Sequence, residues 1–306
     1  MKQTINNRPG IFNVNKPSGM TSRQLVDRVQ DRFPGNKAGH AGTLDRAASG
    51  VLPVLLNEAT KLVPYIHREE KTYRATIRFD YDSESYDMDR EVRSVVAGPE
   101  INWHQVERVL KGYQGRINQV PPRYSALRVD GQRAYERVEA GEDPELSARE
   151  VDVESIKIDE FTYPILRLNI TCGKGFYVRA LVRDLSADLN QDGGVLSDLI
   201  RTQYGFFSLE NSVTVEENWS SGWYPPVRAV DSYLKLVLDE NELEILRNGG
   251  WIPRESHEDS WAAALDHRGN LFAMVTPKRH DGQPVWQPRR VMNRPDLETP
   301  TQQEVR

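Results

Sequence analysis

The order of apolar and polar positions along the chain predicts a protein that mixes strands and helices. Apolar runs at 11–14 and 51–56 suit short buried strands. Residues 71–79 and 166–172 alternate with a period of two, which is typical of half-buried strands. Three further segments, 21–33, 102–111 and 178–189, carry apolar residues at helical spacing.

The starts of these predicted helices carry local signals. Thr21 and Gln24 have the spacing of a capping box, and Pro34 with Gly35 suits the end of that helix. Arg179 falls in the first turn of the helix predicted at 178–189. Because a cation there opposes the helix dipole, we expect Arg179 to have a specific acidic partner.

The segment 40–54 contains a glycine-containing loop that leads into the apolar run at 51–56. Its one carboxylate is Asp45. Its small residues would let a bulky partner approach that carboxylate. A lone aspartate in such a loop also suits an Asx-type turn. The residues alone therefore leave a structural and a catalytic role open.

Charge is distributed unevenly over the 306 residues. The net charge is −5, yet residues 1–80 hold 13 Lys and Arg against 7 Asp and Glu. A local basic section can bind a polyanion on an acidic chain, and it can equally be a solvated surface.

Other composition features exclude several classes of protein. No apolar run approaches the roughly 18 residues of a membrane span, and the first residues lack the core of a signal peptide. The single cysteine, Cys172, excludes an internal disulfide and fits a reducing compartment. Zinc-binding Cys and His spacing is absent. We expect a cytoplasmic protein with no metal and no membrane partner.

The 40–54 loop resembles the catalytic loop of the TruB-type tRNA pseudouridine synthases (the tRNA pseudouridine-55 synthase family), which runs approximately H-x-G-T-L-D-P-x-A-S-G-V-L. The matching residues are His40, Gly42, Thr43, Leu44, Asp45, Ala48, Ser49, Gly50, Val51 and Leu52. Arg46 stands where the family usually has proline, and this removes a φ restraint beside Asp45.

Two further stretches resemble family motifs. Lys71 and Tyr73 match a Lys-x-Tyr strand start, in which the tyrosine packs on the target base; the period-two pattern alone would make Tyr73 a core residue. The stretch 80–90 resembles G-x-x-T-x-T-x-D-x-x-G. It keeps the hydroxyls and the carboxylate at Ser83, Ser85 and Asp87, and has Asp80 and Arg90 in place of the two glycines.

Two later motifs complete the resemblance. The P-P-x-Y-S-A-x-K-x-x-G-x-R-A-Y-E motif is matched at Pro121, Pro122, Tyr124, Ser125, Ala126, Gly131, Arg133, Ala134, Tyr135 and Glu136, with Arg128 for lysine. The G-x-Y-I-R-x-L-x-x-D-L-G motif is matched at Gly175, Tyr177, Arg179, Leu181, Asp184 and Leu185. Leu199 resembles the apolar residue that closes the pocket, and Ile200 stands where arginine is frequent.

The resemblance implies an α+β fold. We expect a large mixed, mainly antiparallel sheet with flanking helices around a central cleft, followed by a small PUA-like β domain. The implied divisions are a catalytic domain at 1–224, the PUA-like domain at 225–292, and a disordered tail at 293–306 whose Pro, Glu and Gln content fits disorder.

The resemblance also implies the function, which is isomerisation of uridine 55 in the T-loop of tRNA to pseudouridine, without cofactor or metal. Asp45 is the implied nucleophile, and Arg179 would pair with it. The remaining expectations are a monomer that binds the tRNA T-stem-loop. The expected substrate-binding residues are His40, Tyr73, Tyr177, Arg179 and Leu199, and the RNA-contact candidates are Lys16, Arg123, Arg128 and Arg133.

Two rival hypotheses differ in class. A non-catalytic tRNA-binding or RNA-folding protein would keep the basic groove and would not need Asp45 and Arg179 together. A glycoside hydrolase would need two carboxylates on either side of one bond. The loop offers only one.

Overall fold

The chain is built on one large sheet and one small sheet, and the computed structural model describes residues 8–96, 98–125, 127–216, 219–254 and 260–292. The described strands are β1 (Gly10–Lys16), β2 (Ala38–His40), β3 (Ser49–Leu56), β4 (Lys71–Arg78), β5 (Tyr81–Asp82), β6 (Arg93–Ser94), β7 (Gly115–Gln119), β8 (Arg128–Val129), β9 (Gln132–Arg133), β10 (Arg149–Thr162), β11 (Ile165–Cys172), β12 (Val195–Tyr204), β13 (Phe207–Ser208), β14 (Trp223–Tyr224), β15 (Leu234–Val237), β16 (Ile252–Pro253), β17 (Ala262–Leu265), β18 (Leu271–His280) and β19 (Gln283–Val291).

The described helices are α1 (Ser22–Arg32), α2 (Val63–Ile66), α3 (Trp103–Leu110), α4 (Ala134–Glu139), α5 (Val178–Asp188) and α6 (Glu240–Arg247). The predicted capping box at Thr21 and Gln24 is confirmed at the start of α1. The amide of Gln119 bonds both the N–H and the C=O of Tyr177, at 2.8 and 3.1 Å, and so fixes the start of α5.

The large sheet has the strand order β14-β1-β3-β12-β4-β11-β10-β7, with β2 added to β3 and β13 to β12. Among its described strand pairs, β3 and β12 run parallel and the others run antiparallel. The expected mixed, mainly antiparallel sheet is confirmed.

Strand β3 is buried on both faces, which explains its unbroken apolar sequence. Leu52, Val54 and Leu56 pack in a core that also contains the apolar faces of α1, α3 and α5. Val51 and Leu55 point to the opposite face, into a second core that includes α2. The loop before β3 is therefore anchored to the centre of the molecule.

The small sheet has the order β15-β17-β18-β19-β16. Alternate residues of β17 face opposite ways: Ala263 and Leu265 pack on the second core of the large sheet, and Ala262 and Ala264 pack with α6. Strand β14 ends the large sheet at Tyr224 and β15 begins the small one at Leu234. Division into folding units at residue 224 stays a prediction. The predicted tail at 293–306 and motif residue Ala126 lie outside the described residues.

Candidate active site

The loop that carries Asp45 runs from the end of β2 into the start of β3. At two positions in this segment, the backbone conformation and the neighbouring atoms require glycine. Gly42 has φ +67°, and a Cβ there would lie 3.0 Å from the Tyr204 ring. Gly50 has φ +105°, and its Cβ would lie 2.3 Å from the Arg201 carbonyl oxygen. Both positions exclude a side chain without local movement.

Hydrogen bonds on both sides of Asp45 hold this loop. Ser22 Oγ accepts from the Leu44 N–H at 2.9 Å and donates to the Leu44 carbonyl at 3.0 Å. Gly19 N–H donates to the Arg46 carbonyl at 2.8 Å, and Arg46 Nε donates to the Gly19 carbonyl at 3.1 Å. Arg46 thus restrains the loop through its side chain where the family usually has proline.

Lys16 lies beneath the same loop and is fully buried. Its Nζ donates to the carbonyls of Pro17, Met20 and Arg46, at 2.9, 2.6 and 3.3 Å. Burial lowers the pKa of Lys16 to about 8, and the nearby carboxylates of Asp89 and Asp45 oppose that shift. This geometry gives Lys16 a structural role in the loop, and its phosphate contact stays a prediction.

Asp45 forms an ion pair with Arg179, as the dipole argument anticipated. Arg179 Nε lies 2.8 Å from Asp45 Oδ2 and 3.4 Å from Asp87 Oδ2. Burial raises the pKa of the Asp45 carboxyl, Arg179 acts against the rise, and Asp87 adds to it. The guanidinium therefore favours the ionised form of Asp45 in a place where burial disfavours charge.

The 80–90 stretch supplies the second carboxylate beside Arg179. Ser85 Oγ donates to Asp87 Oδ1 at 2.6 Å, and Ser83 Oγ lies 3.0 Å from Ser85 Oγ. Arg179 Nη1 also donates to the Ser85 carbonyl at 3.4 Å. The two residues that replace the family glycines each have a defined contact. Asp80 pairs with Arg78, and the Arg90 guanidinium lies over the Tyr124 ring.

The Asp45–Arg179 pair lies in a cleft of about 680 Å³ between β4, β12, the start of β10 and the start of α5. Four of the predicted substrate residues line it: Tyr73, Tyr177, Arg179 and Leu199. Burial raises the pKa values of Tyr73 and Tyr177, so both phenols are neutral donors at neutral pH. Two phenols and an apolar side chain around one carboxylate suit a flat, polar-edged ligand.

His40 is the predicted substrate residue outside this lining. It ends β2, opposite Val54 of β3, and is half-buried. Its Nδ1 is buried and has no hydrogen-bond partner among the residues that the structure describes. Burial lowers the pKa of His40, and the charges of Arg201 and Arg23 lower it further.

The exposed RNA-contact candidates occupy different surroundings. Arg128 lines the cleft, and its Nη1 donates to the Gly131 carbonyl at 2.9 Å. Arg123 pairs with Asp143, and Arg133 Nη1 donates to Tyr135 Oη at 3.1 Å. The structure therefore brings Arg128 to the cleft that contains Asp45, and leaves the other two arginines outside its lining.

Sequence reasoning gave no site role to several residues that line the cleft, among them His67, Lys71, Arg201 and Tyr204. Strand periodicity offered a signal for two of them. Lys71 lies two residues before Tyr73 in β4, and Arg201 lies two residues after Leu199 in β12, so each shares a strand face with a predicted site residue. His67 lies in a turn and carried no such signal.

Membrane and metal features complete the description of these residues. No helix in the described ranges is long and apolar enough to cross a membrane. Across the same ranges, no three His, Cys, Asp or Glu side chains are grouped to hold a metal ion.

A family model and the curated relatives of this chain point to the same family. The family described as "TruB family pseudouridylate synthase (N terminal domain)" matches residues 30–178. A tRNA pseudouridine synthase B from Dehalococcoides mccartyi is 34% identical, over 94% of this chain and 97% of its own. The enzyme of that name from Caldanaerobacter subterraneus is 36% identical, over 88% and 98%, and the one from Ruegeria pomeroyi is 42% identical, over 72% and 72%.

Solved structures agree with the fold. The first is the crystal structure of a Cbf5–Nop10–Gar1 complex, with a TM-score of 0.72 and 22% identity, over 92% of this chain and 84% of the other. The second is an H/ACA RNP bound to a substrate RNA containing 2′-deoxyuridine, with a TM-score of 0.71 and 20% identity, over 94% and 86%.

Proposed function

This chain belongs to the TruB family of pseudouridylate synthases, and we propose that it converts uridine 55 in the T-loop of tRNA to pseudouridine with Asp45 as the nucleophile. The observation that carries the proposal is the Asp45 carboxylate, paired with Arg179 at 2.8 Å, in a cleft that Tyr73 and Leu199 also line.

The reaction exchanges one bond for another within a single nucleotide. The N1–C1′ bond breaks, the uracil turns, and C5 bonds to C1′; N1 gains a proton and C5 loses one. A carboxylate can assist by attacking C1′, by attacking C6 of the base, or by removing a proton at C2′. All three routes need an ionised Asp45, and the Arg179 guanidinium favours that state.

The other cleft residues have roles that follow from their chemistry. The Tyr73 ring can stack on the turning uracil, and its neutral phenol can donate or accept a hydrogen bond. Leu199 closes the pocket with an apolar surface. The target base must leave its stack to enter, which costs a few kcal/mol. His40 and Tyr177 are our candidates for occupying the vacated space and lining the pocket.

Three further parts of the proposal concern the oligomeric state, the cellular compartment and the contacts to RNA. Asp45, Arg179, Tyr73 and Leu199 all come from one chain, which supports a monomer as the active unit. Cys172 is a buried free thiol, which supports a reducing cytoplasmic setting. Arg123, Arg128 and Arg133 are the candidates for contacts to the phosphates of the T-stem-loop.

Pseudouridine mapping at single-nucleotide resolution tests the proposal on unmodified tRNA treated with the purified full-length protein. We expect pseudouridine at position 55. The Asp45→Asn variant should form none while binding the tRNA within about tenfold of wild type, because phosphate contacts dominate affinity. Pseudouridine from Asp45→Asn would contradict the nucleophile, and modification only at other positions would contradict the target.

A further inference from the structure

His67 follows α2 and lies in the wall of the cleft, where nothing in the family motifs assigns it a role. The Gly42 N–H donates to its Nε2 at 2.9 Å. Gly42 stands three residues before Asp45, in the same loop. A side chain distant in sequence from the catalytic loop is thus bonded directly to that loop's backbone.

The bond determines which form of the imidazole is present. An amide N–H can only donate, so His67 Nε2 must be the unprotonated acceptor, and the neutral ring then carries its proton on Nδ1. Burial together with the charges of Lys71, Lys174, His40 and Arg201 lowers the pKa of His67 to about 4. The imidazole is therefore neutral at neutral pH.

Gly42 is held from three directions at once. Its N–H donates to His67, its carbonyl accepts from Arg201 Nη2 at 3.0 Å, and the Tyr204 ring fills the space where a Cβ would lie, 3.0 Å from that position. Arg201 is itself fixed, since its Nε donates to the Val51 carbonyl at 2.7 Å. The peptide planes on both sides of Gly42 are thereby fixed before the chain reaches Asp45.

We propose that His67 is a positioning residue for the reaction: its neutral imidazole holds the Gly42 peptide so that the loop presents the Asp45 carboxylate to Arg179 and to the cleft. This inference rests on the function proposed above. His67 acts through the backbone, so it affects the geometry of the nucleophile more than the binding of RNA. Misplacement of a reacting group by about 1 Å can cost a hundredfold in rate.

Steady-state kinetics on the tRNA substrate separate positioning from binding. His67→Phe keeps an aromatic ring and removes the acceptor; we expect kcat to fall about tenfold to a hundredfold with KM little changed. His67→Gln should recover most of kcat, because the amide oxygen can accept from Gly42. The matched control is His104→Phe, which makes the same exchange at an exposed position of α3 and should behave as wild type.

Thermal unfolding of each variant shows whether a loss of kcat comes only from loss of folded protein. Wild-type turnover in His67→Phe, or equal kcat losses in the Phe and Gln variants, would overturn the proposal. So would losses that merely follow the fraction of unfolded protein. If wild-type protein formed no pseudouridine, the proposed function would fail, and the bond between His67 and Gly42 would still be tested by spectroscopy.

Nitrogen-15 NMR of histidine-labelled protein supplies that test. The chain has 6 histidines, and comparison with His67→Phe assigns the His67 signals. We expect a neutral ring, protonated on Nδ1 and not on Nε2, with shifts that stay constant from pH 8 to about pH 6. A ring protonated on Nε2, or a titration near pH 6.5, would contradict the proposal.

Discussion

Arg179 Nε lies 2.8 Å from Asp45 Oδ2, and the two side chains differ in exposure, with 6% of Arg179 and 39% of Asp45 open to solvent. The cation is enclosed by protein, and the same Nε lies 3.4 Å from Asp87 Oδ2. The carboxylate reaches the cleft. A fixed cation thus orients a group that remains accessible to substrate, which is the arrangement that a nucleophile requires.

We expect Arg179→Lys to lower kcat much more than it changes RNA affinity. A lysine keeps the charge and cannot direct planar N–H donors at Asp45 and Asp87 together. A loss of about tenfold or more in kcat is consistent with the removal of one charge-assisted hydrogen bond. Single-turnover rates and tRNA binding measured on the same preparation check this, and turnover at the wild-type rate would exclude the orienting role.

Much of the fold was predictable because burial imposes a pattern on the sequence. The 51–56 run is apolar throughout because β3 is covered on both faces. The first-turn position of Arg179 predicted an acidic partner, and Asp45 and Asp87 are the partners found. Local rules succeed where a strand face or a helix end decides which residue is tolerated.

The rest of the site depends on contacts that no local rule encodes. Arg201 reaches the Gly42 carbonyl because the register of β12 against β3 brings them together. His67 meets Gly42 only because the chain returns after α2. The burial of Lys16 and the packing of the small sheet on the large one likewise depend on tertiary arrangement.

Gly50→Ala should destabilise the protein and disturb the Asp45 loop. Gly50 has φ +105°, and an added Cβ would lie 2.3 Å from the Arg201 carbonyl oxygen, which is backbone and cannot rotate away. The backbone strain alone costs about 1–3 kcal/mol. Urea unfolding measures the change. The control is Gly112→Ala, where the added Cβ meets no atom within 4 Å; equal stability of both variants would contradict the argument.

The stability of the protein should fall as the pH is lowered from about 6.5 to 4, and His67 should contribute to the fall. The folded state keeps His67 neutral to about pH 4, whereas the unfolded chain protonates it near its ordinary pKa of 6.5. The unfolded state therefore binds more protons in this window, and acid favours it.

Replacing His67 by Phe removes the contribution of this histidine to the pH dependence of stability. The free energy of unfolding of His67→Phe should depend less steeply on pH between 6.5 and 4 than that of wild type. Denaturant unfolding at several pH values, with His104→Phe as the control for loss of a histidine, provides the measurement. Parallel pH curves for wild type and His67→Phe would show that His67 titrates alike in both states.

His40 should matter through the shape of the RNA and not through proton transfer. It stands five residues before Asp45, half-buried, and burial lowers the pKa of its imidazole, so it is a poor proton donor at neutral pH. We expect it to fill the gap left by the flipped base. A side chain that replaces stacking is worth about 1–3 kcal/mol, so His40→Ala should slow modification of the structured T-stem-loop about fivefold to 150-fold.

The decisive comparison uses a second RNA whose target uridine is already unstacked, because there no gap opens when the base enters the cleft. The loss in His40→Ala should then shrink, and the pH dependence of the rate should match that of wild type on both RNAs. A histidine that transfers a proton would behave differently, since its removal would harm both substrates alike and alter the pH–rate profile. Equal losses on the two RNAs with a changed profile would make His40 a participant in the chemistry.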